Sequence, residues 1–132
     1  MVDVFLLCVD RDGLAGRKQQ LTILEREGKK VLTVGQTFLA ENAWQEIEVW
    51  LLAGQKDLPG EWRWQDVRQE PSAKERYFEP YARQRELLSE SPGGGRMTIA
   101  SAAAANYPRI RQLCPELADL EQRITTWLSS QP

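Results

Sequence analysis

The sequence predicts an α/β domain built on a parallel sheet, with a helical C-terminal half. Three observations carry this. Val2–Val9 is a nearly unbroken apolar run, the mark of a strand buried on both faces as in parallel sheets. A helix-like segment and a second strand-like run follow within about 35 residues, which is a βαβ unit with a right-handed crossover. From Ser72 onward the apolar residues recur mostly at helical spacing.

Each element has its own warrant. Leu14–Glu27 reads as a helix, with Leu14, Leu21 and Leu24 on one side, polar Lys18, Gln19, Glu25 and Arg26, and Gly28 as C-cap. Lys30–Val34 reads as the second strand, with Phe38 and Leu39 following a turn or bulge at Gly35. Asn42 is placed to cap a helix over Ala43–Ala53, ended by Gly54. Gln55–Pro71 is irregular and holds Trp62 and Trp64. Ser72 and Glu75 form a capping box, so a helix starts there, and Pro80 is a candidate break. Ser91–Gly95 is a Pro-Gly loop, and the alanine-rich Arg96–Asn106 is helical. Asn106 and Tyr107 close that helix, and Tyr107–Cys114 is a short helical turn on which Arg109 and Arg111 read as surface charges. Pro115–Ser129 is the last helix, with Leu117, Leu120, Ile124 and Leu128 on one face.

This makes one domain over residues 1–132, a βαβα core in 1–54 and a mostly helical part in 55–132. The sheet is small for its class. Either a strand hides around Trp62 and Trp64, which alternate as strand residues do, or an N-terminal strand is lacking, since the chain opens directly in Val2–Val9. The two tryptophans are otherwise core residues or a base-stacking platform.

Composition narrows the function. The formal net charge of −2 gives no global signature for nucleic acid, though a local basic face is compatible with it. Cys8 and Cys114 form no metal or redox motif, and a reducing cytoplasm is expected. No basic segment precedes Asp3, so no secretory leader is expected, and no apolar run reaches membrane-spanning length. The chain has no histidine, which excludes His-based general-base catalysis, Ser-His-Asp triads and His-ligated zinc. Any chemistry rests on carboxylates, lysine, arginine, tyrosine or a bound metal.

The carboxylates point to a cation. Asp10 and Asp12 lie two residues apart at the carboxyl end of the first strand, where ligands bind in open α/β sheets. Mg²⁺ takes hard oxygen ligands and is held by one or two carboxylates with water or phosphate. The competing reading is a plain turn, since Asp and Gly dominate turns. Glu48 falls on the same helical stripe as Trp44, Ile47 and Leu51, and an acid on an apolar stripe is paired, ligating or at its rim. Lys74, in the first turn of a capped helix, is placed to meet a phosphate. Arg96, after three glycines, resembles an anion-binding helix start, although no phosphate-loop pattern is present.

The Val2–Val9 strand ending in Asp10-Arg11-Asp12 resembles the Toprim fold, the metal-binding domain of primases, topoisomerases and OLD-type nucleases. Ala40–Gly54, Ala73–Tyr81 and Gly93–Ile124 are similar to a bacterial Toprim-like family of unknown function, so the resemblance covers nearly the whole chain. It implies that Asp10 and Asp12 match the Toprim aspartate pair and that Glu48 matches the acid of a Glu-x-Trp helix. Mg²⁺ or Mn²⁺ would be held by these three, with Asp10, Asp12, Glu48 and Lys74 as catalytic candidates and Lys74 or Arg96 steadying a phosphate. The partners it implies are nucleic acid and an ATPase in phage defence, with a homo-oligomer in keeping. Toprim domains also carry a glutamate on an earlier strand, and no residue before Val2–Val9 supplies it here. That departure leaves a second reading, a non-catalytic adaptor that uses the remnant fold to bind a partner. An open sheet edge would favour the adaptor, and an assembled three-acid cluster without one would favour the enzyme.

Overall fold

A computed structural model describes all 132 residues. Strand β1 is Asp3–Val9 and strand β2 is Gln36–Asn42, joined by helix α1, Arg17–Lys29. The strands pair in parallel without a break in register, from Asp3 opposite Gln36 to Val9 opposite Asn42. They are the whole sheet. Seven further helical segments follow: α2 (Glu48–Ala53), α3 (Trp64–Gln69), a π-helical turn (Lys74–Phe78), α4 (Glu79–Gln84), α5 (Arg96–Ala104), α6 (Tyr107–Leu113) and α7 (Pro115–Ser129). The architecture is a small two-stranded parallel sheet with flanking helices and a largely helical C-terminal half. No helix is long and apolar enough to cross a membrane.

Several elements differ from the sequence expectation. Lys30–Val34 is a turn, not a strand, and β2 begins six residues later than expected, at Gln36. Phe38 and Leu39 are ladder residues of that strand, and what precedes them at Gly35 is a turn and not a bulge. Gly28 lies inside α1, which runs on to Lys29, and does not cap it. A Cβ there would stand 2.6 Å from the Phe38 ring, so the missing side chain is what lets α1 close on β2. Asn42 ends β2 and caps nothing; its amide donates to the Ala43 carbonyl. No strand lies near Trp62 and Trp64, where α3 forms instead. Pro80 sits in the first turn of α4, where its missing N–H costs little, and the π-helical turn runs on into that helix. The last helix spans Pro115–Ser129 as expected.

The core lies in the helical half and is organised around α2. One cluster joins Ala43, Trp50, Ala53, Ala103, Ile110 and Cys114; a second joins Leu52, Val67, Phe78, Tyr81, Ala82 and Ile99. Helix α2 has only six residues, and its Val49, Trp50, Leu52 and Ala53 are all buried. A helix this short is not stable by itself, so packing on both sides holds it. Side chains also satisfy its end: Asn106 Nδ2 donates to the Gly54 carbonyl and Arg109 Nε to the Ala53 carbonyl, each at 3.2 Å. Arg109 is thus a structural cap and not only a surface charge.

Helices α2 and α5 meet at Gly54, where a Cβ would stand 2.5 Å from Ala103 Cα and 2.9 Å from its carbonyl oxygen. Gly54 has ordinary right-handed φ, so alanine is conformationally acceptable there. We expect Gly54→Ala to destabilise by about 1–3 kcal/mol, the cost of overpacking against backbone. Urea unfolding checks it; a neutral or stabilising result would mean the two helices can separate freely.

The sheet sits at the margin of this core. Helix α1 packs on β2, and α7 also reaches β2. Strand β1 pairs only with β2, and its Phe5 and Leu6 are 47% and 50% exposed.

Candidate functional site

The carboxyl ends of β1 and β2 lead into two loops that are locked together by one residue. The Gln45 backbone carbonyl accepts the N–H groups of Arg11 (2.8 Å) and Asp12 (3.2 Å), and its side-chain oxygen accepts the Gly13 N–H (3.0 Å). Gln45 is buried, and its amide nitrogen donates to the Gln69 carbonyl at 3.4 Å. The Asp10–Gly13 turn is therefore shaped from the opposite loop. Asp12 takes a left-handed φ of +53°, a conformation Asp tolerates better than most residues.

Asp10 and Glu48 approach each other by this arrangement. Asp10 Oδ1 accepts the Ile47 N–H at 2.7 Å, so it satisfies the start of α2 from another element. Glu48 begins α2, with its side chain 13% exposed, and takes Arg96 Nη2 at 2.7 Å and Nε at 3.3 Å. It does not share a helical stripe with Trp44, which precedes the helix. Its burial comes from the first turn of α2 and from the arginine. Arg96 in turn donates Nη1 to the Gly93 carbonyl (2.7 Å) and lies 5.1 Å over the Phe78 ring. Asp12 is exposed and meets only Arg17, at 3.9 Å.

An acid missed from the sequence joins the group. Glu46 Oε2 accepts the Lys74 N–H at 2.6 Å, at the head of the π-helical turn. Lys74 thus contributes its backbone here, and its ammonium makes no hydrogen bond or ion pair to the rest of the chain. Burial raises the pKa of Glu46; the Lys74 N–H lowers it, and the charges of Glu48, Glu75 and Asp10 raise it again. Asp10 follows the same pattern: burial raises it, the Ile47 N–H lowers it, Glu48 and Asp12 raise it, and Arg17 lowers it. Asp10, Glu46 and Glu48 are therefore within electrostatic reach of one another. Even so, no three of the chain's acidic or sulfur side chains stand in an arrangement that could hold a metal ion. The sequence signal that could have found Glu46 was weak, since a regular helix over Ala43–Ala53 turns it to solvent.

A second polar feature lies beside this one. A cavity of about 480 Å³ opens past the end of β2, lined in part by Arg11, Lys18, Glu41, Asn42, Trp44 and Glu116. Glu41, 2% exposed, is held by Lys18 Nζ at 2.7 Å and Arg123 at 3.4 Å. Glu116 is held by both Arg68 nitrogens, at 3.1 and 2.8 Å, and accepts Trp50 Nε1 at 2.9 Å. Arg11 has no carboxylate partner and stacks on the Trp44 ring at 4.2 Å.

Neither tryptophan of the irregular segment is a free platform. Trp62 packs edge-on to Tyr77 with centroids 4.9 Å apart, and Trp64 Nε1 donates to the Leu113 carbonyl at 3.2 Å. Cys114 is fully buried, and its thiol is pushed up to about 12 by burial first and then by the Glu116 charge. Cys8 is likewise raised by burial and by Glu41, so neither thiol is activated. Comparison with family models, with curated proteins and with solved structures finds no match to this chain.

Proposed function

We propose that the chain is a Toprim-like domain that binds Mg²⁺ or Mn²⁺ weakly and is related to nucleases acting on phosphodiesters. The observation that carries this is the closeness of Asp10, Glu46 and Glu48 past the carboxyl ends of the two strands, where burial first and then the neighbouring carboxylates raise Asp10 and Glu46. Acids that repel one another there would be relieved by a cation, and their hard oxygens suit Mg²⁺ or Mn²⁺. Asp10, with Asp12 and Glu48, would have to draw together to hold it, since they are not gathered around a cation position. A bound cation would activate water and offset charge on a phosphodiester. The chain's own residues set the limits. Arg96 occupies Glu48, and the Ile47 N–H occupies one oxygen of Asp10. A cation therefore has to compete with interactions already made, and weak binding follows. Lys74, with its ammonium uncommitted, is the candidate to steady a phosphate. Nucleic acid and an ATPase partner in phage defence belong to the same proposal.

Calorimetry with Mn²⁺ tests it on the wild type and on Asp10→Asn with Asp12→Asn. We expect a weak exothermic or endothermic isotherm in the wild type that the double variant lacks; equal heats would rule the site out. Asp10→Asn alone should raise Tm at pH 7. A raised folded-state pKa means stability falls as pH rises through it, and Asn removes the charge while its Oδ1 still accepts the Ile47 N–H.

A second reading, an interaction domain whose partner adds a strand to the sheet, is favoured by the exposed apolar residues of β1. Protection of β1 amides from hydrogen exchange on adding the partner would test it.

A further inference from the structure

The chain treats the two edges of its sheet differently. On the outer side of β2, Glu25 Oε1 accepts the Ala40 N–H at 2.6 Å and Arg123 Nη2 donates to the Ala40 carbonyl at 2.8 Å. An incoming strand would have to displace both side chains. The outer side of β1 has no such cover. The Asp3 N–H donates to the Gly35 carbonyl at one end, and the Val9 carbonyl accepts the Ala43 N–H at the other. Alternation in a parallel ladder then turns Asp3, Phe5, Leu7 and Val9 toward β2 and leaves the N–H and C=O of Val4, Leu6 and Cys8 pointing outward. The usual devices that blunt an edge are missing: β1 has no proline, lysine or bulge, and its register is unbroken.

Two unpaired charges specify the occupant. Asp3 has no cation partner and takes only the Gln36 amide, at 3.2 Å. Arg11 has no anion partner and only stacks on Trp44. They flank the strand and, eight positions apart, fall on the same face of it. We infer that the open edge of β1 is covered by β1 of a second copy of this chain, antiparallel, about a twofold axis at Leu7. The product is a continuous four-stranded sheet. In this register Asp3 faces the partner's Arg11, Phe5 faces the partner's Val9 and Leu6 faces the partner's Cys8. From Phe5 to Val9 each apolar residue meets an apolar one, Val4 falls opposite the partner's Asp10, and both lone charges are matched, twice by symmetry. A parallel arrangement would instead bring Asp3 against the partner's Asp3. The inference rests on the open edge of the second reading and does not require a bound cation.

Sedimentation equilibrium of the full chain, up to roughly 100 μM so that micromolar association is visible, is the test. The expected result is a reversible dimer of twice the 15.1 kDa chain mass. Asp3→Arg and Arg11→Asp should each weaken it at least about tenfold, or 1.4 kcal/mol, and the two together should restore it. Leu6→Lys should leave a folded monomer, with circular dichroism reporting the fold. A wild type that stays monomeric, or a dimer indifferent to Leu6→Lys, overturns the inference. Hydrogen exchange of the Leu6 amide separates the two failures. In a monomeric wild type, fast exchange leaves the edge open and rejects only the second copy, whereas slow exchange rejects the open edge as well.

Discussion

Glu116→Ala is expected to destabilise the protein by about 3–5 kcal/mol, the cost of removing one partner from a buried ion pair. Glu116 accepts both nitrogens of the Arg68 fork, the Trp50 indole N–H and, at 3.3 Å, the Trp44 N–H. Arg68 and Glu116 are only 13% and 11% exposed, so alanine would leave a guanidinium without its carboxylate and an indole N–H without an acceptor. Thermal unfolding should show a Tm lower by on the order of 10 °C or more. Replacing both partners, as Arg68→Met with Glu116→Leu, should recover only the ion-pair part of the loss, because an apolar pair can match a buried ion pair but the Trp50 indole N–H stays without its acceptor. A single variant within experimental error of wild type would show the pair to be solvated.

The same residue sets part of the pH dependence. Burial acts to raise the Glu116 pKa, but the Arg68 and Trp50 hydrogen bonds outweigh it and hold the carboxyl below its ordinary value. Glu25 is lowered in the same sense by the Ala40 N–H and Arg123, again against burial. An acid with a depressed folded pKa stabilises above its unfolded pKa, about 4.3 for glutamate, and loses that contribution as pH falls through the folded value. Wild-type stability should therefore drop below about pH 4.3, and Glu116→Ala should flatten that drop. Parallel pH profiles of the two proteins would contradict the assignment.

Arg123→Ala should cost about 2–3 kcal/mol, because it leaves the Ala40 carbonyl without a partner and three acids short of one. Arg123 ties α7 to the rest of the chain: Nη1 meets Glu25 at 2.6 Å, Nη2 meets the Ala40 carbonyl, and Glu41 and Asp119 lie at 3.4 Å. Glu41 keeps Lys18, which moderates the loss. Arg123→Lys should recover little, since an ammonium cannot reproduce the fork. The variant should also uncover the β2 edge, read as faster exchange of the amides around Ala40. Unchanged exchange there would show that α1 alone protects that edge.

Length, periodicity and end signals made much of the fold legible. The apolar run of β1 and the Pro115 start of α7 are local features, and both elements formed where those signals lie. The β2 start was not legible, because Lys30–Val34 has β-branched residues yet must turn before the chain can pair. Pairing begins after the turn that Gln36 closes on Thr33, and α1 closes on β2 where Gly28 leaves room for Phe38. Helix α2 was misread for a similar reason. Trp44, Ile47 and Leu51 have helical spacing, but Gln45 is recruited to clamp the turn after β1, so the helix waits until Glu48.

The sequence by itself determined that the chain has no histidine chemistry, that β1 ends in an acid pair, and that the second half is helical. Composition and short-range pattern are enough for such properties. Tertiary structure alone decided which acids are neighbours. Glu46 enters the group and Asp12 stays at its exposed margin, because two loops distant in sequence are fastened by Gln45. It also decided that Arg96 neutralises Glu48 across 48 positions, that Arg109 caps α2, and that the two sheet edges differ. Electrostatic coupling and hydrogen bonding depend on distance in space, and chain folding sets those distances by contacts that no local pattern encodes.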